Sequence, residues 1–284
     1  MISHVPDPIE LIDYMEDGEQ ARHYRFRLQS QSQRHDWQSA EPGQFFMLNV
    51  PSVGEAPFTF TAPPNERGEF RAFIRQMGTA TRALFSMVPG QILGARGPFG
   101  RGWPVSEIIN KNTLIIAGGC GLAPLVNLID QLLSRSNEQQ LVLIYGARNK
   151  QSQMLTPERA RWQDTIQIFN TLDDIQGSDE SSAAIQGTPL DVLPQALASF
   201  DSPATKALLC GPEDMMTVLA SRLVKQGLTA EDIYLSIERR MHCAVGLCGH
   251  CYLGSQYACK TGPTFSWSKL QPMIQDGANP VATT

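Results

Sequence analysis

Four of the six cysteines fall in one short stretch, Cys243-Ala-Val-Gly-Leu-Cys248-Gly-His-Cys251 closed by Cys259, spaced C-x4-C-x2-C-x7-C. Four thiolates are what a [2Fe-2S] cluster requires, two for each iron, and the first two spacings match the plant-type run C-x4-C-x2-C. A loop that wraps such a cluster must turn backbone N–H groups toward anionic sulfides. Gly246 and Gly249, one in each short interval, permit that close approach and the positive φ it often takes. A structural zinc site also uses four cysteines, but typically as two C-x2-C pairs, and only one such pair is present. A disulfide pair is the plainer alternative, in a chain that nothing marks as secreted. His242 and His250 suggest a Rieske centre, yet four cysteines already complete a ligand set, so both histidines are read as outer or solvent-facing groups. The expected metal ligands are therefore Cys243, Cys248, Cys251 and Cys259.

The remainder of the chain must position this stretch. A length of 284 residues suggests about two domains with room for sizeable cores. The net charge of −5 argues against a nucleic-acid partner and gives no reason to expect an anionic membrane surface. The first nineteen residues carry Asp7, Glu10, Asp13, Glu16 and Asp17 around no apolar core, so no signal peptide is expected. No run approaches the eighteen or so apolar residues of a membrane helix. The expected location is cytoplasmic, where reduced thiols are available to bind metal.

From about residue 9 to 101 the pattern is of short β segments, at 24–28, 44–50, 58–61, 69–74 and 91–96, broken by Gly and Pro, with one helical stretch at 79–87. This predicts a small antiparallel β-barrel. At Thr113 the character changes. Apolar runs at 113–117, 141–147, 165–170, 206–210 and 233–237 alternate with helical patterns at 122–134, 157–162, 189–199 and 212–226. Such alternation predicts an α/β domain, a doubly wound parallel sheet covered on both faces. The expected division is a barrel over 1–105, a nucleotide domain over 106–237 and a small cysteine segment with its tail over 238–284. Residues 177–184 read as a polar surface loop and 277–284 as a loose tail.

The first parallel strand runs into Ala117-Gly118-Gly119-Cys120-Gly121-Leu122-Ala123-Pro124. Glycines there let the backbone turn from strand to helix and bring N–H groups to a pyrophosphate, although such turns also hold glycine for steric reasons alone. Pro124 sits where proline is tolerated, at the helix start. The second strand ends Tyr145-Gly146-Ala147-Arg148, without the acidic residue an ordinary Rossmann dehydrogenase places on the ribose. Arg148 and Lys150 are candidates for a 2′-phosphate, or simply solvated cations. The fourth strand ends Leu209-Cys210-Gly211-Pro212, again at a strand-to-helix turn. With strand order 3-2-1-4-5, the two glycine turns flank one crevice at the switch point. Cys210 is either a small buried residue at a strand end or a group at the nicotinamide.

The order of barrel, glycine turn and Cys-Gly-Pro turn resembles the ferredoxin-reductase superfamily of flavoproteins. Glu238-Arg239-Arg240-Met241 before Cys243, and Lys260-Thr261-Gly262-Pro263-Thr264-Phe265 after Cys259, resemble the gamma subunit of cytosolic nickel-iron hydrogenases of the sulfhydrogenase type. Similar endings occur in one of the subunits of anaerobic sulfite reductase and in the electron-transfer subunit of dihydroorotate dehydrogenase. The resemblance implies FAD on the barrel. Its flavin motif Arg-x-(Tyr/Phe)-(Ser/Thr) falls on Ala56-Pro57-Phe58-Thr59, with Thr59 at the isoalloxazine edge. Its second motif, for the pyrophosphate, falls on Gly78-Thr79-Ala80-Thr81. Ala56 stands where the family has arginine, which removes a charge-assisted phosphate contact. Phe60 is read as barrel packing.

What the resemblance implies is an oxidoreductase subunit of diaphorase type, moving electrons between NAD or NADP, FAD and a [2Fe-2S] cluster. Its implied partners are the iron-sulfur and catalytic subunits of a nickel-iron hydrogenase. An equivalent subunit of sulfite reductase or dihydroorotate dehydrogenase, and a redox-sensing regulatory module, are the alternatives. The sensor predicts no nucleotide turnover, and the paired glycine turns speak against it.

Overall fold

The computed structural model describes residues 5–30, 36–135, 139–175 and 184–275. The predicted loop at 177–184, except Ala184, and the predicted tail lie outside the described residues.

The first body is a closed antiparallel barrel of β1 (Asp7–Glu16), β2 (Ala21–Leu28), β3 (Phe45–Val50), β4 (Gly54–Ala62), β5 (Glu69–Arg75) and β6 (Ile92–Phe99), ordered β1-β2-β5-β4-β3-β6. In β2 the period of two is plain: Tyr24, Phe26 and Leu28 are buried, while Arg25 and Arg27 point outward. The interior is aromatic, with Trp37, Phe46, Phe60 and Phe70 in mutual ring contact. Phe60 is thus a packing residue.

β1 was absent from the strands expected, its acidic stretch having been weighed only as a signal peptide and set aside. In the barrel Ile9 and Leu11 point inward, while the acids face out and pair across strands, Asp13 with Arg25 and Glu10 with Arg27. Between β5 and β6 runs α1 (Thr79–Phe85). The linker carries α2 (Val105–Ile108) and Trp103, whose Nε1 donates to the Pro124 carbonyl at 2.9 Å.

Among the described residues the second body is a sheet of β7 (Thr113–Gly118), β8 (Leu141–Ala147), β9 (Gln167–Leu172), β10 (Ile185–Gln186), β11 (Lys206–Cys210), β12 (Ile233–Ser236) and β15 (Thr264–Ser266). The order is β10-β9-β8-β7-β11-β12-β15, whose parallel core β9-β8-β7-β11-β12 is the expected 3-2-1-4-5. β7 is buried on both faces: Ile115 and Ala117 belong to one core, Leu114 and Ile116 to the other. The covering helices are α3 (Ala123–Arg135), α4 (Thr156–Trp162), α5 (Pro189–Ala198) and α6 (Glu213–Lys225).

The seventh strand was not foreseen. β15 comes from beyond the cysteines and pairs antiparallel with β12, Leu235 opposite Phe265. Between them lie a small hairpin, β13 (Tyr252–Leu253) and β14 (Gln256–Tyr257), and α7 (Ala258–Thr261); α8 (Trp267–Gln275) follows β15. Among the described residues, no helix is long and apolar enough to cross a membrane.

Candidate functional site

The cysteine loop leaves β12 and returns at β15. The β13–β14 hairpin sets its second half: Cys251 precedes β13, Cys259 lies in α7, and Ala258 N–H donates to the Cys251 carbonyl at 2.9 Å. Both thiols are buried against Phe45, Met47 and Phe99 of the barrel, whereas Cys248 is exposed and Cys243 half-buried. Burial and the neighbouring Cys251 push the Cys259 thiol up to about 12, so a metal must displace its proton.

In the first half, the N–H groups of Val245, Leu247 and Cys248 donate to Cys243 Sγ at 3.5, 3.3 and 3.4 Å. They converge because Ala244 and Gly246 take left-handed φ of +62° and +76°; Gly249, at +79°, turns the next interval. Burial would raise the Cys248 thiol, but backbone N–H groups outweigh it and hold the thiol below its usual value. Four free thiols, with backbone N–H groups turned toward Cys243 and Cys248, fit an anionic iron-sulfur cluster. His242 and His250 stack edge to face on each other, with ring centroids 4.3 Å apart.

The two glycine turns flank a cleft of about 710 Å³. Gly118, Gly119, Gly121, Arg148, Gly211 and Pro212 line it, as the sequence suggests. The three glycines of the first turn do different work. A Cβ on Gly121 would lie 2.6 Å from the Cys210 carbonyl oxygen, so this glycine lets the two turns pack together. A Cβ on Gly118 would lie 2.9 Å from Pro212 Cδ, again close packing. Gly119, at φ +53°, would meet nothing within 4 Å; here the backbone is open to a ligand. Pro124 is not in the lining.

Cys210 lies beneath the turn, wholly buried, and burial pushes its thiol well above the usual value. The thiol in the lining is Cys120, also raised by burial, to about 11. Sequence reasoning also passed over Arg75 and Glu238. Arg75 ends β5 just ahead of the Gly78 turn and lines the cleft with its Nε buried and unpartnered. Glu238 opens into the same cleft, and the protein crowded around it raises its carboxyl. Its signals in the sequence were its place at the end of the fifth parallel strand and at the head of Glu238-Arg239-Arg240-Met241, neither of which gave it a role in the cleft.

On the barrel, β3 and β4 pair with Thr59 opposite Phe45 and Pro57 opposite Met47. Pro57 and Thr59 therefore share the face that meets the cysteine loop. Phe58, opposite Phe46, packs toward the barrel interior. Ala56, Pro57, Phe58 and Thr59 are each only partly buried. At the second motif, Thr81 Oγ1 accepts from the N–H groups of Met77 and Gly78, both at 2.9 Å. Thr81 thus organises the turn, and the N–H groups of Thr79 and Ala80 are left to the helix start. The unpartnered Arg75 and the open Gly119 and Gly78 positions fit anionic dinucleotides.

Three family models tile the chain: an oxidoreductase FAD-binding domain over 8–103, an oxidoreductase NAD-binding domain over 115–221, and the iron-sulfur cluster binding domain of dihydroorotate dehydrogenase B over 238–271. The chain is 31% identical to the sulfhydrogenase 1 subunit gamma of Pyrococcus furiosus, over 86% of this chain and 85% of that one. It is 32% identical to a probable dihydroorotate dehydrogenase B (NAD(+)) electron transfer subunit of Pyrococcus abyssi, over 81% of each. Among solved structures, a chain of an NADH-dependent reduced ferredoxin-NADP oxidoreductase shares the fold, with a TM-score of 0.74 at 22% identity, covering 97% of this chain and 95% of that one. The cytochrome b5 reductase domain of Ulva prolifera nitrate reductase does so with a TM-score of 0.61 at 21% identity, over 79% of this chain and 94% of that one. A flavin barrel, a nucleotide cleft and a four-cysteine loop joined in this order place the chain in the ferredoxin-reductase-like family of NAD(P)-, FAD- and iron-sulfur-binding electron-transfer subunits, together with the sulfhydrogenase gamma subunits.

Proposed function

We propose that the chain is the diaphorase-type subunit of a cytoplasmic nickel-iron hydrogenase, exchanging electrons between a pyridine nucleotide and that enzyme's iron-sulfur and catalytic subunits. Cys243, Cys248, Cys251 and Cys259 hold a [2Fe-2S] cluster, Pro57, Phe58, Thr59 and the Gly78–Thr81 turn receive FAD, and the two glycine turns receive NAD or NADP. When bound, FAD would supply two-electron hydride chemistry with one-electron release, and the cluster would supply one-electron transfer. The protein orients the carriers. Arg75 meets phosphate charge, Gly119 opens the backbone to it, and Arg148 stands where a 2′-phosphate would lie. Cys210, beneath the turn, supports the nicotinamide end of the cleft.

The observation that carries this reading is one shared face. Cys251 and Cys259 pack on Phe45 and Met47, the residues that face Thr59 and Pro57 across the β3–β4 pair. The outermost cysteine, Cys248, is exposed beside Leu247, itself 78% exposed, as an exit toward a partner requires. The relatives of the dihydroorotate dehydrogenase type support a second partner with the same mechanism.

Anaerobic affinity purification of the tagged chain from its host, with visible spectra before and after NADH or NADPH, tests the assignment. Hydrogenase subunits should co-purify, and flavin and cluster should bleach. Cys248→Ser should retain nucleotide-dependent dye reduction and lose transfer to the partner; simultaneous loss of both would reject this order of carriers. A dihydroorotate dehydrogenase partner would change the terminal reaction alone, and absence of bleaching would favour the sensor.

A further inference from the structure

Away from the cleft and the cysteine loop, three side chains meet at the seam between barrel and nucleotide domain. They are Asp17 from the β1–β2 turn, His23 from β2 and Glu158 from α4. One nitrogen and two carboxylate oxygens, one atom from each residue, all lie within 4.8 Å of one another. His23 Nε2 is 2.8 Å from Asp17 Oδ2, and its Nδ1 is 3.7 Å from Glu158 Oε1. Both acids are buried, Asp17 at 9% and Glu158 at 8% exposure. The seam around them is close-fitting. Glu19 N–H donates to the Gln151 carbonyl at 3.0 Å, and a Cβ on Gly18 would collide with the Gln153 carbonyl oxygen.

Arg159, buried close to both acids, donates instead to the Met154 carbonyl and to Asn170 Oδ1, so its charge reaches the seam without a hydrogen bond to either carboxylate. Glu158 Oε2 is buried without a hydrogen-bond partner. The arginine beside that carboxylate, Arg161, comes no closer than 3.6 Å and is itself held by Asp130 at 2.5 Å. A buried carboxylate in this condition is costly unless a cation meets it, and an orphaned buried acceptor calls for an ion or a water.

We propose that Asp17, His23 and Glu158 form a divalent-cation site of the zinc class that clips the barrel hairpin to the nucleotide domain. One imidazole nitrogen and one oxygen from each carboxylate supply three ligands and leave a fourth tetrahedral position for water. Thr156 N–H, donating to Asp17 Oδ2 at 3.0 Å, orients one ligand from outside. The clip has a place in the molecule's work. α4 begins directly after the segment whose Ser152 and Met154 line the nucleotide cleft, so an ion at this seam fixes the wall of that cleft.

The test uses the complete chain with cluster and flavin loaded, equilibrated anaerobically with micromolar Zn²⁺ and then passed into metal-free buffer. Metal analysis should give one zinc per chain beside an undiminished iron content. Zinc-edge X-ray absorption should show only nitrogen and oxygen neighbours, at about 2.0–2.1 Å. His23→Gln and Glu158→Gln should each retain about tenfold less zinc, or lower, with iron and flavin unchanged. Zinc absent from the native chain, bound through sulfur, or retained by both variants would overturn the proposal. The native measurement decides by itself should the variants fold poorly.

Discussion

Arg96 of the barrel donates from Nη1 to the carbonyl oxygen of Cys243 at 3.2 Å, across 147 positions of sequence. Its Nη2 reaches the His242 carbonyl at 3.3 Å, and the same guanidinium pairs with Glu55 at 3.1 and 2.5 Å. Glu55 lies on β4, two residues before Pro57. One buried cation thus ties the strand expected to carry flavin to the first residues of the cysteine loop.

Arg96→Met should therefore damage two things together. Leaving Glu55 unpaired should cost about 3 kcal/mol, measured by urea denaturation. Releasing the carbonyls of His242 and Cys243 should lower the iron retained per chain on gel filtration.

The glycines at 119 and 121 should behave in opposite ways. Gly121→Ala drives a Cβ into backbone atoms that cannot yield, 2.6 Å from the Cys210 oxygen, and should destabilise by about 1–3 kcal/mol. Gly119→Ala meets open space and should cost only about 1 kcal/mol for its left-handed backbone. Its penalty should fall on nucleotide binding, because the methyl group occupies the approach to the phosphates. Thermal melts and nucleotide titrations of the two variants separate these effects.

Arg75→Ala should weaken NADH or NADPH binding about tenfold or more, the loss of a charge-assisted contact. The melting temperature should barely move, since Arg75 Nε has no protein partner to lose.

Asp232 supplies a pH dependence with a defined sign. Burial would raise its carboxyl, but hydrogen bonds from Lys206 Nζ and Thr229 Oγ1, both 2.6 Å, hold it below the usual 3.8. A depressed carboxyl contributes stability that is present above its unfolded value and is lost as pH falls through its folded value. Asp232→Asn should cost about 1 kcal/mol at neutral pH, the pair being partly exposed and screened. The difference from the native chain should close as the pH is taken below about 4. Urea denaturation over a pH series checks both the size and the window.

The parts legible in the sequence were those whose physics is local. Cysteine spacing is fixed by the size of a cluster, and glycine turns by the junction of strand and helix. The strands of the parallel sheet announced themselves as apolar runs because both faces are buried. β1 was hidden because Glu10 and Asp13 neutralise arginines that are distant in sequence. β15 was hidden because three residues carry no period. Arg75 and Arg96 were passed over for a related reason. An arginine's meaning lies in its partner, and Arg96 finds its own in Glu55 and the cysteine loop, while Arg75 Nε has none within the protein.

The pairing of β12 with β15 has a further consequence. Ile237 N–H donates to the Pro263 carbonyl at 3.0 Å, so the segment between them departs from and returns to the same point on the sheet edge. Such a segment is an insertion at the edge of the sheet, held to the barrel by Arg96 and by the cluster around Phe45 and Met47. A short turn in its place would join the two strands without disturbing the order of the sheet, leaving the barrel and the parallel sheet without their four-cysteine loop. The cysteine loop thus enters and leaves the molecule through a single edge of the sheet, between its last parallel strand and one antiparallel strand.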